Sequence, residues 1–66
     1  MNSLTNRERQ VFNLLVEGLK TKDLASKLSI TQNTVKYFVK RIYKKLNVKS
    51  KSELIIRYHQ YKSQPL

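Results

Sequence analysis

The 66-residue sequence contains no cysteine and no tryptophan, and it has one histidine, one glycine and one proline. The absence of cysteine excludes disulfides, thiolate zinc sites and any cysteine–histidine catalytic pair. His59 has no second histidine or cysteine with which to share a metal ion, so we interpret it as a surface residue. We therefore expect no metal site, no cofactor and no small-molecule ligand in this chain.

Long apolar segments are also missing, since no uninterrupted run of hydrophobic residues exceeds three. A membrane-spanning helix needs about 20 predominantly apolar residues, and the hydrophobic part of a signal peptide needs about 7 to 15. The sequence excludes both kinds of segment. We expect a soluble, cytoplasmic protein that has no membrane partner.

Negative charge is scarce, because four acidic residues stand against 14 Lys and Arg and give a formal net charge of +10. Such a charge implies an acidic partner. Glu8 and Glu53 stand at helix-capping positions, which leaves no paired acid and base for hydrolysis, so we expect no enzyme. Hydrophobic residues make up 39%, which favours a folded chain, and the length allows one domain over residues 1–66.

The spacing of the apolar residues predicts an all-α fold of four helices. The predicted helices cover residues 6–17, 21–28, 32–46 and about 51–61. Thr5 and Glu8 form a capping-box pattern before the first helix, and Ser50 and Glu53 form another before the last. In a capping box, each side chain accepts a hydrogen bond from the backbone N–H of the other residue.

The two middle helices have simpler start and stop signals. Thr21 and Thr31 are their predicted N-caps. Gly18 is the predicted left-handed stop after the first helix, and Asn47 is the predicted stop after the third. These signals separate the four helices by short turns.

A short helix, a tight turn over residues 29–31 and a long helix form a helix-turn-helix pattern over about residues 20–39. Ala25 lies at the expected crossing, where a long side chain would push the two helices apart. The polar side chains of the long helix lie opposite its apolar stripe, and they are Gln32, Asn33, Lys36, Tyr37, Lys40 and Lys44.

These side-chain types suit the major groove of DNA, which admits one α-helix. Lysine donates to guanine, Asn and Gln pair with adenine, and a Tyr ring can contact a thymine methyl. Because the first turns of such a helix reach deepest, Asn33 is a candidate base contact. Lys22 at the start of helix two, and Lys49 and Lys51 at the start of helix four, are candidate phosphate contacts.

Six segments carry a family resemblance, and they are LTNRER at 4–9, GL at 18–19, DLA at 23–25, ITQNTVK at 30–36, IYKKLNV at 42–48 and SKSEL at 50–54. Together they resemble the LuxR/GerE-type DNA-binding domain over nearly the whole chain. The resemblance implies a bacterial transcriptional regulator that binds double-stranded DNA, with residues 32–46 as the recognition helix.

The same resemblance assigns roles to individual positions. The base contacts would be Lys36, Tyr37 and Lys40. The phosphate contacts would fall near Lys22, Gln32, Thr34 and Lys44. It also implies a homodimer through helix four, with Ile55, Ile56 and Gln60 as candidate contacts. RNA polymerase is a further candidate partner of such a regulator.

Two other functions fit parts of the sequence. Region four of a sigma factor is similar through the third helix, but the capped helix after Leu46 argues against it. A basic membrane-active peptide would also carry a high positive charge on amphipathic helices, but the four-part capped organisation argues against that interpretation. Taken alone, outward lysines such as Lys36 and Lys40 are most often a solvated helix face, so the helix-turn-helix context decides in favour of DNA.

Overall fold

The computed structural model describes residues 4–59 of the chain, and these residues form four helices. They are α1 (Asn6–Val16), α2 (Thr21–Leu28), α3 (Gln32–Leu46) and α4 (Lys51–Tyr58). This architecture confirms the predicted all-α fold. Helix α1 ends one residue earlier than expected, and the predicted end of α4 near residue 61 lies outside the described residues.

Three of the predicted N-caps, at Thr5, Thr31 and Ser50, are present. Thr5 Oγ1 accepts a hydrogen bond from the Glu8 N–H at 3.1 Å, and Glu8 Oε1 accepts one from the Thr5 N–H at 2.9 Å, which completes the capping box of α1. Thr31 Oγ1 accepts from the Thr34 N–H at 3.1 Å at the start of α3. A cap of this kind typically contributes about 1 kcal/mol to stability.

Two start signals differ from the prediction. Thr21 is not the N-cap of α2 but its first helical residue, and the N-cap is Lys20, which makes no side-chain capping hydrogen bond. Ser50 caps α4 by accepting from the Glu53 N–H at 3.1 Å. The Glu53 carboxylate, however, accepts from the N–H of Lys49 at 2.8 Å instead of completing the expected box with Ser50.

Helices α1, α2 and α3 all end in the same way. Each is followed by a residue with a positive φ, at 92° for Gly18, 57° for Ser29 and 57° for Asn47. The next residue donates its N–H to the carbonyl five positions back, from Leu19 to Leu14, from Ile30 to Ala25 and from Val48 to Tyr43. This Schellman pattern satisfies free carbonyls and directs an apolar side chain towards the core after each helix. The stops predicted at Gly18 and Asn47 are confirmed.

The core lies where α1 packs against α2, α3 and α4, and α2 packs against α3. Its buried hydrophobic members are Leu4, Val11, Phe12, Leu15, Val16, Leu24, Ala25, Val35, Ile42, Leu46, Val48 and Leu54. The Tyr58 ring meets Phe12 edge to face, with centroids 5.3 Å apart, which joins α4 to α1. Within residues 4–59, none of the helices has the length and apolar character needed to span a membrane.

Candidate nucleic-acid interface

The helix-turn-helix is built from α2, the turn at residues 29–31 and α3. Leu24 and Ala25 of α2 are buried together with Val35 of α3, so the two helices share a tight apolar contact. The left-handed Ser29 reverses the chain within the turn, and Thr31 then caps α3. The relative orientation of α2 and α3 is therefore set by apolar packing, by the left-handed conformation of Ser29 and by the N-cap at Thr31.

The polar face of α3 is exposed, as the sequence predicts. Its exposed members are Gln32, Asn33, Lys36, Tyr37, Lys40 and Lys44. Tyr37 is 56% exposed, which is unusual for a large aromatic residue. Thr34 is half-buried, and its hydroxyl shares a 2.9 Å hydrogen bond with the Thr31 hydroxyl. The helix thus presents donors and one aromatic ring outward while Val35 and Ile42 hold its other side in the core.

The beginning of α2 lies beside this face. A groove of about 250 Å³ is lined by one residue of α2 and four residues of α3, namely Thr21, Lys36, Val39, Lys40 and Tyr43. Burial raises the pKa of Tyr43. The groove places the first turn of α2 next to the two lysines of α3.

The first turn of α2 has free backbone donors. The first hydrogen bond across the start of the helix runs from the Leu24 N–H to the Lys20 carbonyl, so the N–H groups of residues 21–23 precede it. Lys20 contributes no side-chain cap, and Lys22 is exposed. Backbone donors at a helix start, joined by a lysine, form an arrangement that suits a phosphate group.

A buried carboxylate connects α1 to α3. Glu8 is only 1% exposed, and its two oxygens accept from Lys45 Nζ at 2.7 Å and from Arg41 Nε at 2.8 Å. These hydrogen bonds, that from Lys45 first, together with the Thr5 N–H, lower the pKa of Glu8 to about 2. The sequence predicted Glu8 only as a cap. Its ion pairs with Lys45 and Arg41 depend on which side of α3 faces α1, and the capping pattern carries no information about that packing.

Arg41 also contacts the exposed face of α3. Its guanidinium lies 5.5 Å from the centroid of the Tyr37 ring, within range of a cation–π interaction. The edge-to-face contact of Tyr37 with Phe38, at 5.5 Å between centroids, holds the ring from another side. Glu8 raises the pKa of Arg41 by hydrogen bonding, and Tyr37 adds to this effect.

Several basic side chains cap the ends of other helices. Arg7 donates to the Leu28 carbonyl at the end of α2 at 3.2 Å, and Arg57 donates to the Leu46 carbonyl at the end of α3 at 3.1 Å. These contacts place positive charge at the negative ends of the helix dipoles. The high net charge of the chain is therefore only partly available to an acidic partner.

Lys51 belongs to the same group of contacts. Its ammonium donates to the Leu19 carbonyl and, at 3.4 Å, to the Gly18 carbonyl in the turn after α1. These hydrogen bonds give Lys51, a predicted phosphate contact, partners within the fold. Lys49, in contrast, has an exposed side chain.

Comparison with known proteins is consistent with this geometry. The family described as bacterial regulatory proteins, luxR family, matches residues 2–58. The chain belongs to the luxR family. The domain is thus a helix-turn-helix, DNA-binding domain of a transcriptional regulator, and the family is one of DNA-binding regulators rather than an enzyme class.

Three relatives of the luxR-family chain illustrate the match. The nitrate/nitrite response regulator protein NarL of Escherichia coli is 43% identical over 91% of this chain and 28% of its own length. The transcriptional regulatory protein DesR of Bacillus subtilis is 43% identical over 85% of this chain and 28% of its own length. The spore germination protein GerE of Bacillus subtilis is 43% identical over 80% of this chain and 72% of its own length. The chain therefore spans little more than a quarter of NarL and DesR.

Two of the three predicted dimer contacts of this luxR-family domain, Ile55 and Ile56, lie on α4. Ile56 is 78% exposed, whereas Ile55 is half-buried and packs partly against the core. Gln60 lies outside the described residues. The structure thus exposes one large apolar side chain of the predicted pair.

Proposed function

We propose that this luxR-family domain binds duplex DNA sequence-specifically, with α3 as the recognition helix in the major groove. The observation that carries the proposal is the position of Lys36 and Lys40. They are exposed one turn apart on α3 and line a groove together with the first residue of α2. In this arrangement α3 reads base edges while the start of α2 contacts the phosphate backbone.

The proposed contacts fall into two classes. Base contacts are assigned to Asn33, Lys36, Tyr37 and Lys40, whose chemistry matches base edges in the major groove. Phosphate contacts are assigned to Lys22, Gln32, Thr34, Lys44 and Lys49. The exposed members of both classes lie along α3, except for Lys22 in the first turn of α2 and Lys49 just before α4. We expect the first class to set sequence preference and the second to set salt-dependent affinity.

We further propose that the chain acts as one DNA-binding domain of a cytoplasmic, non-enzymatic regulator that binds its operator as a homodimer through α4. Ile55, Ile56 and Gln60 are the proposed dimer contacts, and the exposure of Ile56 supports this surface. A regulator bound at a promoter lies beside RNA polymerase, so the polymerase is a proposed partner. The buried core and the capped helices do not suit a membrane-active peptide, which forms its helices on lipid.

The proposal is tested by selecting binding sites from a random duplex pool at physiological salt. Specific complexes typically exceed non-specific ones by about 10³- to 10⁷-fold under such conditions. We expect an inverted repeat with half-sites about one helical turn apart. A lone half-site bound only in the presence of RNA polymerase would instead favour the function of a sigma-factor region.

The matched variants are Lys36→Ala/Lys40→Ala and Arg9→Ala/Lys27→Ala. Both pairs remove two exposed positive charges, and the second pair lies on α1 and α2 outside the proposed contacts. The first pair should lose about 1–3 kcal/mol of base discrimination for each lysine. The second pair should keep the site preference. Equal preference in the wild type and in Lys36→Ala/Lys40→Ala would refute the proposed recognition face.

A further inference from the structure

Tyr37 is an exposed aromatic side chain whose position is nevertheless fixed by neighbours. The Arg41 guanidinium lies 5.5 Å from its ring centroid, one helical turn further along α3. Phe38 contacts the ring edge to face, with an angle of 68° between the two ring planes. A side chain that is 56% exposed and held by two such contacts has fewer orientations open to it than a free tyrosine.

Arg41 is itself held from outside α3. Its Nε donates to Glu8 Oε2 at 2.8 Å, while its side chain remains 44% exposed. Glu8 is in turn fixed by the capping hydrogen bond from Thr5 and by Lys45. A chain of direct contacts therefore runs from a buried carboxylate on α1, through Arg41, to the aromatic ring on the outer face of α3.

Such an arrangement matters for binding because side chains lose conformational freedom in an interface. Immobilising a side chain on binding has an entropic cost, and a group already held in its bound orientation avoids part of that cost. Arg is suited to this role, since its planar guanidinium can donate to a carboxylate and lie over an aromatic ring at the same time.

We propose that Arg41, anchored by Glu8, is a positioning residue that holds Tyr37 in the orientation used to contact a base. This inference rests on the proposed function, in which Tyr37 is a base contact. It adds that sequence preference at the base pair facing Tyr37 depends on two residues that need not touch that base. The competing role for Arg41 is a direct contact with a DNA phosphate, which its partial exposure would permit.

The two roles are separated by a double-mutant cycle with Tyr37→Ala, Arg41→Met and the combined variant. The dissociation constant is measured for the selected duplex and for duplexes changed at each base pair. The base pair whose preference is lost in Tyr37→Ala identifies the position that Tyr37 reads. Arg41→Met should weaken preference at that same base pair by roughly 2- to 5-fold, the factor that corresponds to an exposed cation–π contact.

The decisive comparison is made in the Tyr37→Ala background. If Arg41 acts through Tyr37, adding Arg41→Met there should leave base preference unchanged. A phosphate contact would instead weaken all duplexes alike in both backgrounds, and it would reduce the slope of log affinity against log salt by about 0.9. That second result would overturn the proposal.

Glu8→Gln is an independent test, because it changes the carboxylate that anchors Arg41 and leaves Arg41 and Tyr37 unchanged. Glutamine retains an oxygen for the capping hydrogen bond from Thr5 but removes the negative charge that anchors Arg41. It should weaken preference at the Tyr37 base pair and leave the preferences read by Lys36 and Lys40 unchanged. A uniform loss at all positions would contradict a positioning role. If this variant does not fold, the cycle at the more exposed Arg41 still decides.

The failure of this inference differs from failure of the proposed function. If the wild-type domain selects no site, or if Lys36→Ala/Lys40→Ala keeps the wild-type preference, the recognition face as a whole is contradicted. If Lys36→Ala/Lys40→Ala loses the preference but the double-mutant cycle shows no coupling between Arg41 and Tyr37, only the positioning role is contradicted.

Discussion

The Glu8 carboxylate lies 2.7 Å from the Lys45 ammonium, although 37 residues separate the two in sequence. The same Glu8 oxygen accepts the N–H of Thr5 at 2.9 Å, so one atom both caps α1 and joins it to α3. Because Glu8 is 1% exposed, this oxygen interacts with its two donors out of contact with most of the solvent. The start of α1 and the side of α3 that faces it are therefore stabilised together.

This arrangement predicts a specific loss of stability in acid. The pKa of Glu8 is lowered from 4.5 to about 2 in the folded protein. A lowered pKa means that the charged form contributes stability above the unfolded value, and that this contribution is lost as the pH falls from about 4.5 to about 2. Glu8→Gln should therefore have a lower free energy of unfolding than the wild type at pH 7, and the difference should shrink across that range.

Urea unfolding followed by circular dichroism at several pH values measures this difference. All other carboxylates are common to the two proteins, so the comparison isolates Glu8. A difference that stays constant between pH 7 and pH 2 would show that the ion pairs at Glu8 do not stabilise the fold.

A second prediction concerns the turn of the helix-turn-helix, where Ser29 has a φ of 57°. In this region Cβ approaches the backbone closely, so most residues are disfavoured there. Glycine, which has no Cβ, adopts the conformation readily, and asparagine does so to a lesser extent. Ser29→Gly should raise the free energy of unfolding by up to about 1 kcal/mol, reduced by the greater freedom of glycine in the unfolded chain. Ser29→Val should lower it, since β-branched residues are least tolerated there. Thermal melts of the two variants check the prediction, and a stabilising valine would contradict it.

The sequence predicted Asn47 as a helix stop but did not predict the ion pairs of Glu8. Helix stops at Gly18 and Asn47, the cap at Thr31 and the capping box of α1 depend on residues within a few positions of one another, so local patterns predicted them. The exposed face of α3 follows from helical periodicity alone. The ion pairs of Glu8 depend on how α1 packs on α3, which a local pattern does not encode.

Local signals also predicted the start of α2 wrongly. Residue type predicts Thr21 as the N-cap of α2, whereas the structure places the N-cap one residue earlier, at Lys20. Lys51 is predicted as a phosphate contact because it is basic and begins α4. Its hydrogen bonds to the carbonyls of Leu19 and Gly18, 32 and 33 residues away, depend on packing that the local sequence does not reveal.

A third prediction addresses the proposed dimer. Ile56 is 78% exposed on α4, so replacing it with lysine should change the stability of the monomer by no more than about 0.5 kcal/mol. If α4 is the dimer surface, Ile56→Lys should abolish cooperative binding to a duplex with two half-sites and leave binding to one half-site unchanged. Gel-shift titrations of both duplexes measure this. Ser26→Lys, at an exposed position on α2, is the control for the added charge. Retained cooperativity in Ile56→Lys would exclude this surface.

The final prediction separates cations that contact phosphate from cations that stabilise the fold, with Lys44 and Lys51 as the pair compared. Lys44 is exposed in the last turn of α3, whereas the Lys51 ammonium donates to the carbonyls of Leu19 and Gly18. Lys44→Met should reduce the slope of log affinity against log salt by about 0.9 and weaken binding to all duplexes alike. Lys51→Met should lower the free energy of unfolding by about 1.5–3 kcal/mol, the range for a hydrogen bond to a charged group, with little change in the salt slope. Because each variant removes one positive charge, net charge alone predicts the same result for both. The opposite pattern, a changed slope for Lys51→Met with unchanged stability, would support Lys51 as a phosphate contact and contradict its structural role.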